Sequence, residues 1–286
     1  MTNDVQIISF DGTMLAAEII GQLHKGAVIM APGGGQTRHA WTGAANALAR
    51  AGYLVLSADL RGHGESDWSA TNTYSYFDHA KDALALADWF EKKTDRKPHY
   101  IGASLGGVVG LIASGIMRPD AFASLTMVDV AARINEDGFS SIRSFMRESV
   151  RDGFATLEDA AGFISKHFPR PGSTSANPAG LRKNLKQGDD GRWRWHWDPA
   201  FVETLHLPPD DFEKMVNDAA ISLTTPAHLV RGGASELVSK EAADHFLNLA
   251  PHIHYTEIEG ARHMVTGDKN DIFIDAALKF IEKIDT

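Results

Sequence analysis

The sequence contains no cysteine. That excludes disulfides, thiolate metal sites and cysteine nucleophiles together, and it fits a chain expected to work in a reducing cytoplasm. Basic charge is scarce: 28 lysines and arginines face 37 aspartates and glutamates, for a formal net charge of −9. An acidic chain without a basic stripe repels phosphate backbones, so nucleic acid is not an expected partner. No apolar run approaches the ~18 residues needed to span a bilayer. Residues 1–10 lack the basic segment and apolar core of a secretory signal. No membrane partner is expected, and the assembly expected is a monomer or homodimer.

What is present is globular in proportion: 286 residues, 43% hydrophobic and 23% charged. This length suits one large domain or a core with an inserted lobe. Apolar runs at 5–10 and 14–20 read as strands joined at Asp11-Gly12, a strong hairpin pair. Further strands are expected at 27–30, 54–57, 99–101, 125–130, 227–230 and 253–258. Helical patterns at 41–51, 77–93, 105–115, 240–249 and 271–284 alternate with them. Such alternation implies an α/β chain with a mostly parallel eight-stranded sheet, flanked by helices on both faces. The alternation lapses between about 133 and 225, where Pro169, Pro171, Pro199, Pro208 and Pro209 fall. The expected division is a core at 1–132, a mostly helical lid at 133–220 inserted after the sixth strand, and the rest of the core at 221–286.

Gly102-Ala103-Ser104-Leu105-Gly106 matches G-x-S-x-G between an expected strand and an expected helix. Glycines two residues to either side of the serine let the chain turn sharply without a clash. The hydroxyl then projects at a helix start, where backbone N–H groups point at any charge that develops. A serine hydroxyl needs a base to take its proton. Among 13 histidines, His263 alone lies in a loop after the last strand, the place where this chain order puts the base. His252 and His254 share a strand face but lack a third ligand, so no metal site is expected.

The acid that orients the histidine has two candidates. Asp129 ends the sixth strand beside the nucleophile strand, and Glu236 follows the seventh. The usual spacing in the seventh-strand loop puts Ser235 where the acid is expected and Glu236 one residue late, so Asp129 is preferred and Glu236 is the alternative. The oxyanion donors expected are the N–H groups of Leu105 and of Gly34, from the loop Pro32-Gly33-Gly34-Gly35. Gly35 is the next choice and a candidate substrate contact.

With the elbow, the late histidine and the loop Asp59-Leu60-Arg61-Gly62-His63-Gly64-Glu65-Ser66, the sequence resembles the α/β-hydrolase superfamily. The closest resemblance is to its lid-bearing bacterial branch of esterases, haloperoxidase-like and epoxide-hydrolase-like proteins. There the glycine loop usually begins His-Gly-Gly-Gly-Gln-Thr-Arg-His. Here Pro32 stands in place of that first histidine, whose role is to brace the loop. The resemblance covers about 5–132 and 221–284, and a lid segment at 181–199. It implies the α/β-hydrolase fold and a serine mechanism without cofactors. Relatives with a loop like Arg231-Gly232-Gly233-Ala234-Ser235 take their acid from strand six, which implies Asp129. Epoxide hydrolases and haloalkane dehalogenases carry an aspartate at the elbow, so Ser104 excludes their chemistry.

In the lid, Trp193, Trp195 and Trp197 alternate and would share one face of a strand. Trp195 and Trp197 are candidates to line a pocket over Ser104, and equally to anchor the lid. Phe139, Phe145, Met146, Phe163 and Phe168 are further candidates for the pocket wall. The expected activity is hydrolysis of a carboxylic ester or lactone of a small apolar or aromatic substrate through an acyl-enzyme. Alternatives on the same residues are C–C bond hydrolysis of a ring-cleavage diketone, or a slow-turnover ligand receptor.

Overall fold

The computed structural model describes residues 2–150, 152–168, 178–205, 207–263 and 271–286. In chain order the first half contains β1 (Thr2–Ile8), β2 (Met14–Ile20), β3 (Ala27–Ala31), α1 (Thr42–Arg50), β4 (Leu54–Ala58), α2 (Tyr76–Thr94), β5 (His99–Ala103), α3 (Leu105–Ile112) and β6 (Leu125–Val128). An insertion follows, with α4 (Glu136–Val150), α5 (Leu157–His167), β7 (Leu185–Gln187), β8 (Trp193–Trp195), α6 (Pro199–Thr204) and α7 (Pro209–Ser222). The chain closes with β9 (Ala227–Gly232), α8 (Lys240–Leu249), β10 (His254–Ile258) and α9 (Ile274–Ile284).

Eight strands form one sheet in the order β1-β2-β4-β3-β5-β6-β9-β10. β1 and β2 pair antiparallel, as do β2 and β4, and every other neighbour pair is parallel. Gly12, at φ 91°, makes the expected turn between β1 and β2. The central strands β3, β5, β6 and β9 are buried along their whole length, which accounts for their continuous rather than alternating apolar runs. One face packs Trp41, Leu48, Ile274 and Ile281 from around α1 and α9. The other packs Leu86, Phe90, Val109 and Phe246 from α2, α3 and α8. Both faces are therefore covered, and the C-terminal ends of the parallel strands are left to the loops that carry Ser104 and Asp129.

One departure from the sequence reading has a local cause. The helix expected over 105–115 ends at Ile112 and continues as a π-helical turn, Ala113–Met117. A side chain added at Gly115 would lie 2.1 Å from the Ala219 carbonyl of α7, so the glycine lets the insertion's last helix seat against this turn. Within the insertion β7 and β8 form an antiparallel hairpin. Its turn, Gly188–Gly191, is fastened by Asp190, which accepts from Arg194 Nη1 at 2.8 Å and Nη2 at 2.6 Å.

The turn after β5 is built on close backbone contact. A Cβ at Gly102 would lie 2.4 Å from the Gly106 backbone, and one at Gly106 would lie 2.6 Å from the carbonyls of both Ala31 and Pro32. Gly106→Ala should destabilise by about 1–3 kcal/mol or more, because backbone rather than a flexible side chain must give way. Gly162, inside α5, supplies the contrast, since a Cβ added there would meet nothing within 4 Å. Gly162→Ala should stabilise by about 0.5–1 kcal/mol. Urea denaturation of both variants checks this, and a Gly106→Ala protein as stable as its parent would contradict the packing argument.

Candidate active site

β5 ends at Ala103 and α3 begins at Leu105, so Ser104 alone makes the turn. It does so at φ 48° and ψ −118°, a conformation that a residue with a side chain adopts only where its surroundings impose it. The Ser104 N–H donates to the Val128 carbonyl at 2.8 Å, which ties the turn to β6. The side chain stands at the N-terminus of α3 and on the wall of a cavity.

His263 and Asp129 reach the same cavity. His263 Nδ1 lies 2.5 Å from Asp129 Oδ2, which leaves Nε2 as the ring nitrogen open to a reacting group. Asp129 is 3% exposed and His263 8%, so the pair sits largely out of water. Asp129 itself adopts φ 56° just beyond β6. Its carboxylate is fixed from two further sides: Ser235 Oγ donates to Oδ2 at 2.6 Å, and the Gly232 N–H donates to Oδ1 at 3.2 Å. Ser235 in turn accepts from the Val238 N–H at 3.1 Å.

The structure separates the two acid candidates. Glu236 does not meet the imidazole. One of its oxygens pairs with the Arg262 guanidinium, and the other accepts from the His263 backbone N–H at 3.2 Å. It holds the loop that carries the histidine, while Asp129 holds the ring.

Gly33 and Gly34 line the cavity opposite the start of α3. The Gly33 N–H donates to Gln36 Oε1 at 3.1 Å, and the Gly35 N–H donates to His63 Nε2 at 3.0 Å. Among the described residues neither the Gly34 N–H nor the Leu105 N–H meets an acceptor, and both residues border the cavity. Two donors left open beside one serine are what a developing oxyanion requires. Gly35, expected as a possible substrate contact, is not on the cavity wall, because its N–H is committed to His63.

His63 is marked in the sequence only as part of the loop 59–66, and in the structure it braces the glycine loop. Its Nδ1–H donates to the Arg61 carbonyl at 3.1 Å, so Nε2 is the acceptor for Gly35. The brace thus comes from the loop after β4 rather than from the position that Pro32 occupies. Asp59 helps: it accepts from the Arg38 N–H at 2.6 Å and ion-pairs with the Arg38 guanidinium. The same segment grips the insertion. The Gly64 N–H donates to His196 Nδ1 at 2.8 Å, Lys186 Nζ donates to the Gly64 carbonyl at 2.6 Å, and the Asp198 N–H donates to the Gly62 carbonyl at 2.8 Å.

The cavity measures about 140 Å³. Phe139, Phe145, Met146 and Phe168 are on its wall as expected; Phe163 stands behind, 5.4 Å from the Phe145 ring. Phe201, from α6, adds a wall the sequence did not suggest. Trp195 and Trp197 are not on it. They stack on each other at 4.8 Å, and Trp195 packs 5.7 Å from Phe145. They are 4% and 1% exposed, so they anchor the insertion instead of meeting a ligand. In β8 the alternation places Trp193 and Trp195 on one face, and Trp195 packs into the insertion against Phe145, off the cavity wall.

Burial holds several histidines neutral. Desolvation brings His63 down to about 4 and holds His79 and His196 well below 6.5. His63 and His79 both lie edge-on to Phe201, at 4.4 and 6.1 Å.

A sequence model of the alpha/beta hydrolase fold family matches residues 26–269. An esterase of Mycobacterium tuberculosis is 26% identical over 258 residues, covering 87% of this chain and 80% of that protein. A 3-hydroxybutyrate-oligomer hydrolase of Cupriavidus necator is 24% identical over 237 residues, covering 79% and 76%. The crystal structure of an E-2-(acetamidomethylene)succinate hydrolase superposes with a TM-score of 0.80 at 19% identity, covering 99% of this chain and 100% of that one. The chain belongs to the α/β-hydrolase family, and it is a hydrolase of that fold. Among the described residues no helix is long and apolar enough to cross a membrane.

The neutral histidines give stability a pH dependence with a definite sign. Below pH 6.5 the unfolded chain takes up a proton that folded His63 refuses until about pH 4. Stability should therefore fall as pH drops through that window, by up to about 1.4 kcal/mol per pH unit for each such histidine. Urea midpoints measured from pH 7 to pH 4 check this. The slope should be shallower in His63→Gln, and an unchanged slope would mean that His63 titrates alike in both states.

Proposed function

We propose that this hydrolase is a serine esterase acting through an acyl-enzyme. The observation that carries the reading is the strained Ser104 turn, set at a helix N-terminus and sharing one cavity with a histidine whose Nδ1 is held by Asp129. Ser104 Oγ attacks the ester carbonyl and His263 Nε2 takes its proton. The Gly34 and Leu105 N–H groups hold the oxyanion. His263 then delivers the proton to the departing alcohol, and a water activated by the same nitrogen clears the acyl group. Asp129 keeps the imidazole in one tautomer and stabilises the imidazolium. The esterase and oligomer-hydrolase names of the relatives support the ester bond as the target. An apolar cavity of ~150 Å³ accommodates a benzene-sized group, so the cavity here suits a compact acyl or alcohol portion.

The test is turnover of short p-nitrophenyl esters. Ser104→Ala should abolish it. Asp129→Asn should lower kcat by roughly 10²–10⁴-fold, because it loses the correct tautomer, while Glu236→Gln should cost no more than about tenfold. Equal losses for the two acids would overturn their assignment. Activity that survives Ser104→Ala, or none with any ester, would overturn the serine-esterase reading.

A further inference from the structure

α4 presents one stripe to the cavity: Phe139, Ile142, Arg143 and Met146, spaced i, i+3, i+4 and i+7. Three of these four are apolar, and the fourth is an arginine in the middle of the stripe. Among the described residues of the wall, Arg143 is the one lysine or arginine, and the other ionisable groups there are Tyr76, Asp129 and His263. Asp129 and His263 are occupied with each other. Tyr76, at the start of α2, borders the cavity too, and its ring lies 5.5 Å from Phe212 on α7. Burial raises the Tyr76 hydroxyl to about 12, and the charge of Arg143 works against that rise, so the two groups are electrostatic neighbours and the phenol stays a donor.

A guanidinium that faces a cavity with mostly apolar walls attracts an entering anion more strongly than one in open water, because less solvent screens the pair. Its planar fork matches a carboxylate, and the Tyr76 phenol on the same cavity wall supplies a further donor. An ester whose far end is a plain alkyl chain offers neither donor an acceptor there.

We propose that Arg143 and Tyr76 form a carboxylate subsite, so that the ester cleaved at Ser104 carries a free carboxylate at a distance from the scissile carbonyl, as in a monoester of a short dicarboxylic acid. The proposal rests on the serine-esterase reading for the position of the cleaved bond. The lid then selects substrates by charge as well as by size: the apolar wall surrounds the carbon chain, and Arg143 fixes which end enters.

The experiment compares monoethyl glutarate with ethyl pentanoate, followed by pH-stat titration of the acid released. The ratio of their kcat/KM values is the readout. In the parent protein the ratio should favour the monoanion. In Arg143→Met it should fall by roughly 10- to 100-fold, the size expected for losing a charge-assisted pair. Arg143→Lys should recover part of it, and Tyr76→Phe should lower it less than Arg143→Met. A ratio that favours the neutral ester, or that is the same in the parent and in Arg143→Met, overturns the subsite. Ser104→Ala protein separates this result from the serine-esterase reading. Calorimetric binding of monoethyl glutarate that is lost on adding Arg143→Met supports the subsite even where no ester is turned over, and equal binding with and without Arg143 overturns it.

Discussion

Ser104 sits at φ 48°, and nothing in its own side chain favours that conformation. Holding such a residue costs on the order of 1–3 kcal/mol, which the surroundings must offset. They do so by closing every alternative. Gly102 lies against Gly106, and Gly106 lies against the carbonyls of Ala31 and Pro32, so the strand, the helix and the glycine loop touch without side chains between them. The Ser104 N–H is taken by Val128 of the neighbouring strand. The consequence is geometric: the hydroxyl is aimed into the cavity, and the first N–H of α3 is left open beside it. The fully buried strands β3, β5 and β6 make this arrangement rigid.

The second constraint is how a carboxylate from one strand end is held for a histidine from a distant loop. Ser235 stands where the sequence spacing after β9 would put an acid, and its hydroxyl instead donates to Asp129. The β9 loop therefore still contributes to orienting the histidine, but as a hydrogen-bond donor to the acid. Glu236, one residue later, secures the backbone of His263 from the other side. Ring and backbone are thus held by two different carboxylates, which is why a sequence reading based on the presence of acids near the right place leaves both open.

Much of the fold is legible because its signals are local. Continuous apolar runs mark the buried strands, Asp11-Gly12 marks the first hairpin, and G-x-S-x-G between a strand and a helix marks the turn at Ser104. The site is legible as far as chain order reaches: Ser104, Asp129, His263, Gly34 and Leu105 all meet at one cavity. What does not show is which partner each side chain finds across the chain. Alternation tells that Trp193, Trp195 and Trp197 share a face, but not that Phe145 stands between that face and the cavity. The bracing role of His63 does not show, because its partner, the Gly35 N–H, lies 28 residues earlier. Arg143 is inconspicuous for a similar reason: an arginine in an amphipathic helix that also carries Arg147 reads as solvated until the helix is docked.

Asp59 to Ser66 joins these parts. His63 fixes Gly35, which adjoins the open Gly34 donor; Gly62 and Gly64 hold Asp198 and His196 of the insertion. Phe201, three residues beyond Asp198, then packs against His63 and forms part of the cavity wall within 3.4 Å of the space above Gly34. The groups that would stabilise the reacting oxygen and the groups that shape the substrate pocket therefore share one support. A change in how the insertion docks moves Phe201 and His63 together, and through His63 it reaches the glycine loop. The docking of the insertion and the shape of the glycine loop beside Ser104 are thus coupled through one short, buried, polar segment.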